Sequence, residues 1–159
     1  MPTIHLTTTI NAPIERCFDL SRSIDLHMTS TAKTNERAIA GVTKGLINKG
    51  EQVTWLAKHF GIDQKLTAQI TEMNFPHSFT DIQLKGAFKS MTHMHSFEQK
   101  GEQTIMKDKF EFESPMGFVG ELFNKLILSA YMKRFLIERN EVIKTISESN
   151  EWKKYLAFL

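Results

Sequence analysis

The sequence predicts an α+β fold: a curved, seven-stranded antiparallel sheet, two short helices after the first strand, and a long C-terminal helix. Three observations carry that reading. Thr3 to Ile10 alternates and then stops at Asn11-Ala12-Pro13. Residues 36–113 keep a mostly two-residue apolar period broken by short turn signals. After Ser114-Pro115 the period becomes helical, and no proline interrupts Met116 to Ser149.

Each element follows in order. In the first strand Ile4, Leu6, Thr8 and Ile10 share a face, as every second residue of a strand does. Pro13 suits the first turn of a helix, and Ile14, Cys17, Phe18 and Leu20 give that helix one apolar side. A second short helix is expected over Ile24 to Met28, then a polar stretch from Thr29 to Asn35. Six strands follow: Glu36–Ala40, Glu51–Phe60, Lys65–Asn74, Ser78–Leu84, Phe88–Phe97 and Thr104–Glu113. Short connections such as Gly61-Ile62-Asp63 and Lys100-Gly101 imply antiparallel hairpins. Ser114-Pro115 reads as the cap and first position of the final helix. Val119, Phe123, Leu126, Ile127, Ala130, Phe135, Val142 and Ile146 mark its expected apolar stripe.

Composition narrows the function classes. A chain of 159 residues suffices for one domain with its own core. The net charge of +2 comes from basic residues spread along the chain, which argues against a nucleic-acid face. A single cysteine, Cys17, allows no internal disulfide and suits a reducing cytoplasm. The start, MPTIHLTTTI, lacks the blocks of a signal peptide, and no apolar run approaches the roughly 18 residues of a membrane span. Twelve Phe and eight Met supply large, adaptable side chains that fit either a solid core or a surface accepting varied shapes. A long helix laid on a curved sheet can leave a gap, and an apolar gap is the default binding site.

The runs Ile10-Asn11-Ala12-Pro13-Ile14-Glu15, Trp55-Leu56-Ala57-Lys58-His59-Phe60-Gly61 and Phe79-Thr80-Asp81-Ile82-Gln83, in this order of elements, resemble the START-like superfamily, also called SRPBCC or birch-allergen-like, with its helix-grip fold. Gly86, Phe88, His93, His95, Phe97, Asp108, Ser114-Pro115, Phe135 and Arg139 extend it. They look like the bacterial ligand-binding, cell-division-inhibitor-like subgroup, and the match spans residues 3–149. The domain is accordingly set at 1–149, with 150–159 as an apolar tail. The resemblance implies a pocket between the sheet and the final helix. It brings no catalytic motif that maps onto this chain, and fold alone does not license a function.

Among local patterns, Met91-x-His93-x-His95-x-Phe97 puts four side chains on one strand face. With Lys100-Gly101 as a two-residue turn, Met91 is set opposite Phe110, His93 opposite Asp108 and His95 opposite Met106. His93, His95 and Asp108 are then a polar anchor, an acid–base set, or a structural hydrogen-bonded group. With Ile62-Asp63 as a turn, Trp55 faces Ile70, Ala57 faces Ala68 and His59 faces Leu66, which makes a ligand wall or a filled core.

His59, His93, His95 and Asp108 are of metal-ligand type. A His-x-His on one strand, however, spaces its side chains roughly 7 Å apart, and neither metal nor cofactor is expected. The faces of Asp81 and Gln83 stay open because Gly86 can carry a bulge. Arg134, Glu138 and Arg139 read as surface charges in preference to a pocket cap.

The leading expectation is binding of a small hydrophobic molecule or lipid by Trp55, Ala57, His59, Met91, His93, His95, Met106, Asp108, Phe110, Phe123 and Ile127. One alternative is a cyclase, dehydratase or hydrolase, polyketide cyclase-like, in which His93, His95 and Asp108 move protons. Another is a protein-interaction module. The tail, Glu151 to Leu159, is expected to dock back on the domain or to form a homodimer, with membrane-surface contact as a weaker option.

Overall fold

The computed structural model describes residues 1–114, 122 and 124–157. Strand β1 (Thr3–Ile10) leads into helices α1 (Ile14–Ser21) and α2 (Ile24–Ser30). Strands β2 (Arg37–Gly41), β3 (Gln52–His59), β4 (Ile62–Asn74), β5 (Ser78–Lys85), β6 (Ser90–Lys100) and β7 (Gln103–Glu113) follow. A π-helical turn (Asn124–Leu128) then runs into helix α3 (Ser129–Glu148). The first part of the expected final helix, with Val119 and Phe123, lies outside the described residues.

The seven strands form one antiparallel sheet in the order β1-β7-β6-β5-β4-β3-β2. Every neighbouring pair except β1–β7 is also sequential, through short turns from β3 onward and a ten-residue connection between β2 and β3. Irregularities in register occur between Ala38 and Ala40, between Thr67 and Ala68, and between Ile70 and Glu72. Each extra residue bends its strand and adds local twist, so the sheet curls around α3.

Both hairpin registers built on turn signals need correction. β6 and β7 pair Lys100 with Gln103, so Gly101 and Glu102 form the loop and Gly101 takes a φ of 62°. Met91 therefore faces Phe112, His93 faces Phe110 and His95 faces Asp108. The slip is an even number of residues, so the expected shared face survives. In the preceding hairpin the loop is Phe60-Gly61, with φ values of 53° and 74°. Positive φ at both positions matches the right-handed strand twist. Trp55 consequently faces Leu66, Ala57 faces Gln64, His59 faces Ile62, and Val53 faces Ala68.

The core has two parts. One gathers Phe18, Leu20, Leu26, Trp55, Phe79, Phe97 and Met106 beneath α1 and α2; the other gathers Ile4, Met91, Phe112, Met132 and Leu136. The stripe on the final helix differs from expectation. α3 buries Met132, Leu136, Arg139, Asn140, Ile143 and Ser147, while Leu126, Ile127 and Ala130 are exposed. A π turn places more than 3.6 residues in a turn, so the face that would follow from Leu126 and Ile127 is rotated outward.

The tail packs on its own domain. After a 3₁₀ turn (Asn150–Trp152), helix α4 (Lys153–Leu156) buries Leu156 in the α1–α2 core. The Arg16 guanidinium lies 4.3 Å from the Trp152 ring centre, and the Tyr155 and Thr29 hydroxyls meet at 3.2 Å.

A cavity with a buried histidine–aspartate cluster

Between the sheet and α3 lies a cavity of about 630 Å³, lined mainly by apolar groups. This is well above the roughly 300 Å³ at which ligand pockets begin. β3 contributes Val53, Trp55, Ala57 and His59, and β4 contributes Leu66, Ala68 and Ile70. Phe79 and Asp81 come from β5, Met91, His93 and His95 from β6, and Phe110 from β7. The helix wall is Tyr131, Met132, Phe135, Leu136 and Arg139. Tyr131 and Arg139 are eight residues apart, so the wall runs along about 12 Å of helix.

Several expected site residues are placed elsewhere. Met106 is fully buried in the α1-side core, and Asp108 sits behind His93 and His95; neither lines the cavity. Ile127 points away, 51% exposed. Phe123 lies outside the described residues. Ala57 and Ala68 both border the space, although they do not face each other.

One end of the cavity is polar. Asp81 pairs with His93 across β5 and β6, which settles the inward face of Asp81. His93 Nε2 is 2.8 Å from Asp108 Oδ1, and His95 Nε2 is 3.1 Å from Asp81 Oδ1. His95 Nδ1 lies 3.2 Å from Asp108 Oδ1, outside the alignment of a hydrogen bond. The two imidazoles are tilted against each other at 3.8 Å, and Phe79 stacks on His95 at 4.2 Å. From the helix, Asn140 Nδ2 donates to Asp108 Oδ2 at 2.6 Å. Arg139 donates to Asn140 Oδ1 and to the Ser21 carbonyl, each at 3.1 Å, and its guanidinium is 3.9 Å from Asp108.

The electrostatics separate the two histidines. Burial, reinforced by the neighbouring charge of His95, lowers the His93 pKa to about 4 despite its bond to Asp108. Burial opposes charge on His95 too, but the Asp108 and Asp81 carboxylates outweigh it and raise its pKa. Burial likewise works against the two carboxylates, yet the histidines hold both well below the ordinary range. Asp81, Asp108, Arg139 and a protonated His95 thus balance in charge, the condition under which buried ions are tolerated.

A second polar group lines the cavity nearer α2. His27 stacks on Trp55 at 4.1 Å and meets Glu36 Oε1 at 3.1 Å. The other oxygen, Glu36 Oε2, is buried with no hydrogen-bond partner. At the opposite end His59 Nδ1 and the Tyr131 hydroxyl lie 2.7 Å apart, and burial lowers the His59 pKa.

His27, Glu36 and Tyr131 escaped the sequence reading, and Arg139, expected at the surface, is instead buried in the cavity wall. For Arg139 a signal existed: Met132, Leu136, Arg139, Ile143 and Ser147 follow the spacing of a buried helical face. Glu36 carried none, because an acidic residue opening an edge strand ordinarily faces water.

Among the described residues, one group of three potential metal donors converges: Asp81, His93 and His95. Also among them, no helix is long and apolar enough to cross a membrane. Cys17 is buried, and burial raises its thiol pKa, as in an inert structural cysteine.

No family model and no curated protein matches the sequence. Solved structures do match the fold. The protein TTHA0849 from Thermus thermophilus is 16% identical, with 92% of this chain and 99% of that one covered and a TM-score of 0.71. Ginseng major latex-like protein 151 from Panax ginseng is 16% identical over 93% and 98%, with a TM-score of 0.69. A START superfamily protein from Mycobacterium smegmatis is 11% identical over 92% and 97%, also at 0.69. At these identities the likeness is one of architecture: the chain has the helix-grip fold of START-like and latex-like proteins.

Proposed function

We propose that this protein binds a small hydrophobic molecule or lipid between its sheet and α3. The observation that carries the reading is a cavity of about 630 Å³ with mainly apolar walls into which several polar side chains project. A solid core would leave Glu36 Oε2 without a partner, which is costly. A bound molecule with a hydroxyl or N–H can supply one. Trp55, Ala57, Met91 and Phe110 would form its apolar contacts, with His59, His93, His95 and Arg139 available to its polar atoms. The buried, unpaired Cys17 supports a reducing compartment such as the cytoplasm.

Trp55 reports on the space directly. Trp152→Phe removes the only other tryptophan. Titrating that variant with 1-anilinonaphthalene-8-sulfonate and with long-chain fatty acids should change Trp55 emission saturably. Unchanged emission, together with native mass spectra free of any co-purified molecule, would reject the reading.

A second reading, proton-transfer catalysis, draws support from the separation of His93 and His95. Paired groups whose surroundings push their pKa values apart are the pattern of an acid and a base. Once a ligand is identified, its conversion by wild-type protein but not by His95→Gln protein would distinguish catalyst from carrier.

A further inference from the structure

The geometry points to a site for a divalent transition metal in the cavity wall, with Asp81, His93 and His95 as ligands. One nitrogen from each imidazole and one Asp81 carboxylate oxygen lie within 4.8 Å of one another. The three come from two adjacent strands. Asp81 is the cross-strand partner of His93, and His95 is two residues further along on the same face. A free His-x-His pair would hold its side chains roughly 7 Å apart, yet these ring centres approach to 3.8 Å.

Two imidazoles and one carboxylate suit Zn²⁺ or Fe²⁺. Metal–ligand bonds near 2.0–2.1 Å bring donor atoms to roughly 3–3.5 Å from one another. Asp81 Oδ1 and His95 Nε2 already stand at 3.1 Å. An ion between them would take the place of the proton they share. The longest separation must still close by no more than about 1.5 Å. Asp81 has the room, its side chain being 18% exposed against 9% and 2% for His93 and His95.

The surroundings are those a metal site needs. Ligating histidines are generally oriented by a carboxylate on the other ring nitrogen. Asp108 stands 2.8 Å from His93 Nε2 and 3.2 Å from His95 Nδ1, and Asn140 fixes it from the helix. When His93 donates through Nε2, its Nδ1 remains available as a ligand. All three ligands line the cavity, so coordination positions left by the protein would open onto that space. The inference goes beyond hydrophobic binding, because its donors hold an ion whether or not the cavity is filled.

Cobalt is the probe. Co²⁺ added to chelator-treated protein should bind at one equivalent with visible d–d absorption. Asp81→Asn should weaken that binding at least tenfold and abolish the bands, while circular dichroism stays as in wild type. Equal Co²⁺ affinity in wild type and variant, or no visible band, overturns the site. Should the variant fail to fold, ring-nitrogen NMR of wild-type protein decides. Zn²⁺ must shift the resonances of both His93 and His95, and unmoved resonances refute the proposal. Probe binding by the metal-free protein is scored separately, so loss of the metal site leaves the cavity reading to its own test.

Discussion

Asp108 on β7 accepts a hydrogen bond from Asn140 on α3 at 2.6 Å, a direct tie between the floor of the sheet and the helix that covers it. Both residues are buried. Replacing Asn140 with Leu keeps the volume and removes the donor, leaving Asp108 Oδ2 short of a partner. We expect a loss of about 2–3 kcal/mol, the scale for hydrogen bonds to charged groups, read from urea unfolding.

The two histidines of β6 should titrate apart. At pH 6.5 the His95 ring is expected to be more than half protonated and the His93 ring almost wholly neutral, because their pKa values move in opposite directions from that reference. Ring ¹⁵N chemical shifts measure both directly. Identical titration curves would contradict the arrangement.

Stability should peak near neutrality. Between about pH 4 and 6.5 the unfolded His93 binds a proton that the folded one refuses, so stability falls as pH falls through that window. The loss approaches roughly 3 kcal/mol at its lower edge, where the unfolded Asp81 and Asp108 begin to take up protons that the folded carboxylates refuse and so add to it. His95 acts oppositely: its contribution is complete below 6.5 and is lost as pH rises through its raised value. Denaturant melts across pH should show both limbs, with His93→Gln flattening the acid limb and His95→Gln the alkaline one.

Filling the cavity should separate folding from binding. Ala68 is buried and borders the space, so Ala68→Leu extends its side chain into the void. The unfolding midpoint should hold or rise, while 1-anilinonaphthalene-8-sulfonate binds about tenfold more weakly, a difference of roughly 1.4 kcal/mol. Unchanged affinity would place the probe elsewhere.

The tail should contribute to stability. Leu156 is buried in the α1–α2 core, and Leu156→Ala should cost about 2–4 kcal/mol in urea unfolding. A cost below about 0.5 kcal/mol, the usual range for surface changes, would mean that the tail merely rests on the domain.

Period carried most of the fold. Alternation over Thr3–Ile10 and from Glu36 to Glu113, with the switch after Ser114-Pro115, gave the strand count, the antiparallel pairing and the final helix. Register was harder, since a two-residue slip leaves every side chain on its face and produces no pattern to detect. His93, His95 and Asp108 could therefore be gathered on one side while their opposite numbers were misassigned. Phe60 hid the preceding turn, because an aromatic residue with a φ of 53° is not what hairpin sequences usually offer. The polar partners on α3 were obscured differently. Arg139 and Asn140 look like surface residues unless the buried spacing around them is weighed against the misleading Leu126 and Ile127.

The polar cluster fixes the C-terminal half of α3 to the sheet and to α1. From Arg139 onward the helix is clamped: Arg139 to Ser21, Asn140 to Asp108, Lys144 to the Thr9 carbonyl at 2.6 Å, and Glu148 to the Asn11 amide at 2.8 Å. Nearer its start, the Tyr131 hydroxyl meets His59 Nδ1 of the sheet at 2.7 Å. Leu126 lies 13 residues before Arg139, a lever of about 20 Å. Tilting such a lever by about 10° about its clamp moves the far end by about 3.5 Å, close to the thickness of an aliphatic chain. Such a tilt would break the Tyr131–His59 contact before it disturbed the histidine–aspartate cluster at the pivot.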